Sequence, residues 1–236
     1  PAGCKIHSAV YAITPAAAGR VLEQVIKGEI VSVNDAEVMD IDEAQFRQGR
    51  VNARQFGEMQ VPTELRYIQA VKMGGKESDE LVLQDIADHI IEIMEDHPHH
   101  IFVMGSGSTV EFIMQQLGIA NTLLGVDVVK QGELVASDVT ASELITLTQD
   151  KPTKVILTVI GGQGHILGRG NQQLSPAFIR QIGKQNMLVV ATKQKLQALN
   201  GKPLQLDSSD AALDAELAGA FTVITGYKDK VLCQAV

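Results

Sequence analysis

The chain is poor in several things, and each shortage removes a class of function. It has two cysteines, Cys4 and Cys233, near opposite ends and without CxxC spacing. Neither a zinc site nor a disulfide framework is therefore expected, and a reducing cytoplasmic setting fits best; a bridge linking the termini stays open. Positive charge is short as well: 20 Lys and Arg stand against 28 Asp and Glu, a net charge of −8. No block of Lys or Arg stands out, which argues against nucleic acid as a partner, because that requires a clustered positive surface. Any phosphate site must be local, built from backbone N–H groups and one or two cations. No apolar run approaches the roughly 18 residues of a membrane-crossing helix, and nothing reads as a signal peptide, so a membrane partner is not expected. A Gly-x-Ser-x-Gly elbow is missing, and neither cysteine has a His beside it, so no catalytic triad is visible.

What is present is an ordinary globular composition, with 236 residues and 45% hydrophobic content, enough for one large domain or two small ones. The stretch that organises it runs from Lys154 to Gly183. Val155 to Ile160 form an unbroken apolar, largely β-branched run, the signature of a strand covered on both faces. At the far end Ser175 precedes Pro176, a cap followed by proline at the first helical position, and Gly183 stops the helix. Between them lie Gly161, Gly162, Gln163, Gly164, His165, Gly168, Arg169, Gly170, Asn171, Gln172 and Gln173. Glycines let a backbone approach a ligand, a helix start presents N–H groups to an anion, and Arg169 offers a forked donor for phosphate. The glycine spacing matches neither the dinucleotide-binding fingerprint nor Walker A. A mobile connection is the plainer reading, but loops this long are usually functional.

Along the rest of the chain, Lys5 to Ile13 read as a strand and residues 15–27 as a helix capped by Thr14 and stopped by Gly28. His7 in that strand reads as a structural histidine. AEVMDI and QFGEMQVP read as strands, with a short helix from Asp42 between them. Asp40 and Asp42, two apart, could share a face and hold a metal or ribose hydroxyl, or Asp42 could simply cap the helix. The polar stretch from Pro62 to Ser78, with Gly74 and Gly75, is the expected boundary between an N-terminal β/α segment (1–75) and a larger domain (76–236). Ser78 is read as the cap of a helix carrying Leu83, Ile86, Ile90, Ile93 and Met94 at helical spacing. His97, His99 and His100 read as an exposed turn rather than a metal tract. The strand HIFVM runs into Gly105, Ser106, Gly107, Ser108 and Thr109, with Ser108 and Glu111 at capping-box spacing. Such a turn is a phosphate cradle or an ordinary tight turn. Asp127 interrupts the strand TLLGVDVV, so it must be paired or sit at the sheet's mouth, where ligands bind. Thr140 and Glu143 form a second capping box. After Gly183 the pattern predicts strand NMLVVAT, helix KQKLQALN ended by Gly201, short strand PLQLD, a helix in DAALDAELAG and strand FTVITGY. The alternation predicts an α/β fold: a mainly parallel sheet with helices on both faces, plus the smaller N-terminal β/α segment.

GGQGHILGRGNQQLSP, PAGCKIHSAVYAITPAAAG, AEVMDIDEAQF and LGVDVV together resemble the carboxy-terminal half of the ATP-NAD kinase family, in the branch related to acetoin-catabolism X proteins. The resemblance covers nearly the whole chain, and GRGNQQ is its most specific piece. GSGST is also similar to the Thr-Gly-Ser-Thr segment of NAD kinases and to the phosphate turn of ribose-5-phosphate isomerases. The family's kinases carry a Gly-Gly-Asp-Gly-Thr motif for ATP and metal in an amino-terminal domain. No such motif occurs here, and the chain opens on Pro1, so the resemblance implies a fragment that follows the ATP- and Mg²⁺-holding half. It further implies a phosphotransferase acting on NAD with ATP, small nucleotides as partners, and a homo-oligomer. On that basis Arg169 would contact phosphate and Asn171 and Gln172 would read ribose or amide groups. Gly162, Gln163 and Gly164 would line the site, Gly105 to Thr109 would cradle a second phosphate, and Asp127 would accept from a hydroxyl. A sugar-phosphate enzyme complete in these residues and a non-catalytic nucleotide-binding module are the alternatives.

Overall fold

The computed structural model describes residues 10, 15–29, 31–41, 53–63, 76–160, 163–168 and 170–236. His7, Thr14, Asp42 and the expected boundary at 64–75 lie outside them, as do the side chain of Asp40 and residue Cys4. Among the described residues the helices are α1 (Pro15–Ile26), α2 (Lys76–Asp96), α3 (Ser108–Gln116), α4 (Ala141–Thr148), α5 (Pro176–Ile182), α6 (Lys193–Gln197) and α7 (Ala211–Leu217). The strands are β1 (Val31–Ile41), β2 (Ala53–Thr63), β3 (Ile101–Met104), β4 (Asp127–Lys130) and β5 (Glu133–Ala136). They continue with β6 (Thr153–Thr158), β7 (Met187–Val190), β8 (Gly219–Gly226) and β9 (Asp229–Ala235). They form one sheet in the order β2-β1-β9-β8-β7-β6-β3-β4-β5.

The α/β class holds, but the sheet is mixed, which corrects the expectation of a mainly parallel one. Only the centre is parallel: β3 with β6, β6 with β7, and β7 with β8. Antiparallel hairpins extend it on both sides, β4–β5 beyond β3, and β9 then β1–β2 beyond β8. Two strands that the sequence pattern does not predict, β5 and β9, follow two-residue turns whose sequences carry weak hairpin signals. Gln131 and Gly132 both adopt positive φ (53° and 74°), the geometry that matches the twist of paired strands.

Strand alternation builds two apolar layers. On one face of the sheet, Ile86, Ile90 and Met94 of α2 and Val110, Ile113 and Met114 of α3 pack on Phe102, Met104, Ile156, Val190 and Ile224. On the other, Leu144, Phe178, Ile179, Leu213 and Leu217 of α4, α5 and α7 cover Val103, Val128, Val155, Leu157, Val189 and Val223. Helices therefore lie on both faces, as the alternation predicts. The strand expected at TLLGVDVV begins only at Asp127, because residues 122–125 turn. PLQLD contributes only isolated bridges, Leu204 to Ala235 and Gln205 to His165. The helix expected to start at Ser78 already includes Lys76. The His97–His100 segment is a turn, with His97 Nδ1 hydrogen-bonded to Ile93 O at 2.9 Å. Burial pushes the Cys233 thiol up to about 12, so it behaves as a packing group rather than a nucleophile.

Asp210 is the N-cap of α7, accepting from the N–H groups of Ala212 and Leu213, while Arg180 donates to it at 2.7 Å. The Arg180 guanidinium first, and the cap N–H groups with it, hold its carboxyl down to about 2, from an ordinary value of 3.8. A depressed folded value means that this contribution to stability is complete above the ordinary value and is lost as pH falls toward 2. We expect an NMR titration of Asp210 to give a midpoint near 2, and Arg180→Ala to move it upward. A wild-type midpoint at the ordinary carboxylate value would contradict the pairing.

Candidate functional site

In a sheet with a parallel centre, the turns leaving the carboxyl ends of adjacent strands meet at one edge, and ligands bind there. Here β3 leads through Gly105–Gly107 into α3, β6 through residues 159–175 into α5, and β7 through Ala191 and Thr192 into α6. These three crossings form the candidate site.

The first is the tightest. Gly105 N donates to Ile156 O at 2.9 Å, and a Cβ on Gly105 would stand 2.8 Å from that oxygen, so only glycine lets the chain pass so close to β6. Gly107 is the N-cap of α3 with φ 118°, and its N–H donates to Leu123 O at 2.9 Å. The capping box expected at Ser108 and Glu111 does not form: Ser108 is already helical, and no side chain caps α3. The first-turn N–H groups of an α-helix have no partner within the helix, so α3 presents them at the edge of the site. Ser106 Oγ donates to Gly170 O at 2.7 Å, which brings the first crossing onto the end of the second.

The second crossing is largely tied to the protein itself. Gly164 and Ile166 exchange hydrogen bonds with Gln205, Gln205 N donating to Gly164 O at 2.9 Å and Ile166 N to Gln205 O at 3.1 Å. Asn171 is buried, and its amide closes the local turn: Gly168 N donates to Oδ1 at 2.8 Å and Nδ2 donates to Ile166 O at 3.0 Å. Gln163 and Gln172 are exposed. Gly162 and Arg169 lie outside the described residues. Ser175 caps α5 by accepting from Phe178 N at 3.4 Å, with Pro176 at the first turn and Gly183 at the stop, as read from the sequence.

Asp127 opens β4 opposite Met104, at the carboxyl edge of β3, but its carboxylate is filled from within. Thr122 N donates to it at 2.6 Å, Asp138 N at 2.8 Å, and the hydroxyls of Thr122 and Ser137 at 3.0 Å each. The hydroxyls it accepts from are the protein's own. The structure thus joins Gly105 to Thr109 with Gly170, and it gives Asp127 and Asn171 internal partners.

The third crossing carries residues that the sequence reading missed. Lys195 Nζ donates to Thr109 Oγ1, in the first turn of α3, at 2.8 Å. Burial pushes the Lys195 ammonium below the ordinary lysine range. Thr158, the last residue of β6, is buried, and its Oγ1 has no hydrogen-bond partner among the described residues. The signal that could have found both was positional: each stands where a parallel strand ends or in the first turn of the helix after one.

Of the known families, the model of the ATP-NAD kinase C-terminal domain matches residues 99–235. No curated protein matches the chain, and no solved structure does. The matched residues hold all three crossings and the whole parallel centre of the sheet, and on this match the chain belongs to the ATP-NAD kinase family, through its C-terminal domain.

Proposed function

We propose that this chain is the dinucleotide-holding part of a kinase that converts NAD to NADP with ATP. The 2′-hydroxyl oxygen of NAD bonds to the γ-phosphorus, the bond from that phosphorus to the β,γ-bridging oxygen breaks, the hydroxyl proton is released, and ADP leaves. The observation that carries the reading is the meeting of Gly105–Thr109 with Gly170 at the carboxyl edge of the family-matched sheet. Phosphoryl transfer is chiefly a matter of positioning and charge stabilisation, which a glycine turn and a helix start supply to a phosphate without covalent chemistry. Gly105 to Thr109 would cradle one phosphate, Arg169 would contact another, and Gln163, Gly162, Gly164 and Gln172 would line the ribose and amide side. Among the described residues no three His, Cys, Asp or Glu side chains gather as a metal site; Mg²⁺ in phosphoryl transfer is usually held by one or two carboxylates together with the substrate phosphates, and it would enter here with ATP. In the same reading residues 1–75 form an N-terminal β/α segment and 76–236 the nucleotide-binding domain of a cytoplasmic homo-oligomer. Among the described residues no helix is long and apolar enough to cross a membrane.

A thermal-shift panel of NAD, NADP, ADP and ribose 5-phosphate tests the proposal. A ligand at a hundred times its dissociation constant adds about 2.7 kcal/mol, so NAD and NADP should raise the melting temperature clearly, and Arg169→Ala should shrink that rise while leaving the unliganded melt unchanged. A rise with ribose 5-phosphate alone would favour a sugar-phosphate enzyme. No rise with either dinucleotide would overturn the proposal.

A further inference from the structure

Lys195 is an ammonium without a counter-charge. Its hydrogen-bond acceptor is a hydroxyl, Thr109 Oγ1, and among the described residues no carboxylate pairs with it. Its neighbour Lys193, by contrast, meets Asp229 at 2.6 Å. Lys195 also stands at the wrong end of a helix. The nine-residue α3 begins at Ser108, and the partial positive charge of its N-terminus repels a cation that the C-terminus would attract. Thr158 adds a third donor. Alternation along β6 puts it on the face of Ile156, the face covered by α2 and α3. Its side chain stands against the turn by its methyl group, since a Cβ on Gly107 would lie 2.6 Å from Thr158 Cγ2, and the hydroxyl shares that Cβ. It is 8% exposed and its hydroxyl is unpartnered, an arrangement that buried polar groups rarely tolerate.

An ammonium with no carboxylate partner among the described residues, a buried unpartnered hydroxyl and the first-turn N–H groups of α3 thus come from three neighbouring crossings. We infer that this corner is an anion subsite, with Lys195, Thr158 and the first-turn N–H groups of α3 holding a phosphate group of a diphosphate or phosphate ester. A tetrahedral phosphate presents several oxygens to donors arriving from different directions, and its charge answers both the ammonium and the helix end. The inference rests on reading the carboxyl edge as a nucleotide site, and it adds to that reading the cation and the hydroxyl that face the bound phosphate.

Titration calorimetry of the full chain with inorganic pyrophosphate, NAD and ribose 5-phosphate tests it, on wild type, Lys195→Met, Thr158→Val and the exposed control Lys202→Met. Wild type should bind pyrophosphate, Lys195→Met should abolish binding, and Lys202→Met should bind as wild type does. Thr158→Val should weaken binding about tenfold or more, the effect of losing one hydrogen bond to a charged group. The same variant should melt no lower than wild type, because the hydroxyl it removes has no partner in the free protein; a merely structural threonine would change stability and spare affinity. Should Lys195→Met fail to fold, Thr158→Val decides. Wild type that ignores pyrophosphate, or Lys195 and Thr158 variants that bind it unchanged, would overturn the subsite. Pyrophosphate binding that depends on Lys195 in a protein that ignores NAD would keep the subsite and sink the dinucleotide reading. The converse, NAD binding that neither variant disturbs, would sink the subsite alone. Comparison of the NAD and ribose 5-phosphate arms shows whether the phosphate belongs to a dinucleotide or a phosphosugar.

Discussion

Asp127→Ala is expected to cost about 3–5 kcal/mol of folding stability, read as a lowered urea midpoint with an unchanged slope. The carboxylate is 2% exposed and accepts from two backbone N–H groups and two hydroxyls. Removing it strands those donors, and each buried orphan costs about 1–3 kcal/mol. The hydroxyls of Thr122 and Ser137 already lie 3.0 Å apart and can turn to each other, so the N–H groups of Thr122 and Asp138 dominate the loss. Asp127→Asn keeps one acceptor oxygen and should lose less than the alanine variant. The damage reaches the turn at Gly105–Gly107 as well. Gly107 N donates to Leu123 O, one residue from Thr122, so a loosened knot at 122–127 frees the N-cap of α3. A loss below about 0.5 kcal/mol, the scale of an ordinary surface substitution, joined to a large loss of nucleotide affinity would mean that the carboxylate serves the ligand instead.

Asp127 also shows where sequence reasoning reached and where it stopped. An acid inside an apolar run must be paired or at the mouth of a sheet, and that much was readable. The structure makes both true at once, because β4 starts at the edge of β3 and its flanking turns fold back to supply the donors. Which donors arrive depends on residues 5 to 11 positions away, beyond any local pattern. Capping signals behave similarly. Thr140 and Glu143 form the box that their spacing predicts, with both reciprocal bonds present. Ser108 and Glu111 have the same spacing and do not, because packing against Ile156 and Thr158 demands a residue without Cβ at Gly105 and Gly107 and sets the helix start one residue early. The parallel core was legible because its strands are continuous apolar runs. On the antiparallel flanks β1, β2 and β4 read as strands, but ELVA and DKVLCQA do not: ELVA has only four residues, and the β8–β9 turn at Tyr227 and Lys228, with Lys228 at φ 53°, lacks the Asn-Gly or Asp-Gly pair that marks a hairpin.

Gly168→Ala is the second large effect, with an expected loss of about 2–4 kcal/mol, and it separates two uses of glycine in the same loop. Gly168 has φ 96°, and a Cβ there would run into the backbone carbonyl oxygen of Asp207. Backbone cannot swing aside as a long side chain can, so the strain of a positive φ adds to a true overlap. Gly170, two residues on, has φ 79° but its nearest neighbour is Ser106 Oγ, 3.6 Å from a built Cβ. Gly170→Ala should therefore cost only the left-handed backbone term, about 1–2 kcal/mol. Equal losses at the two positions would refute this division. The contrast matters for the site because the loop reads in sequence as one glycine-rich ligand flap. Its 164–168 portion is instead hydrogen-bonded and packed against residues 203–207, which spends those glycines on approach to the protein's own chain. Among the described residues of the loop, Gly170, held by Ser106, reaches the α3 turn. A Gly168→Ala protein that still folds should thus lose stability well before it loses phosphate binding, whereas Thr158→Val and Lys195→Met should do the reverse.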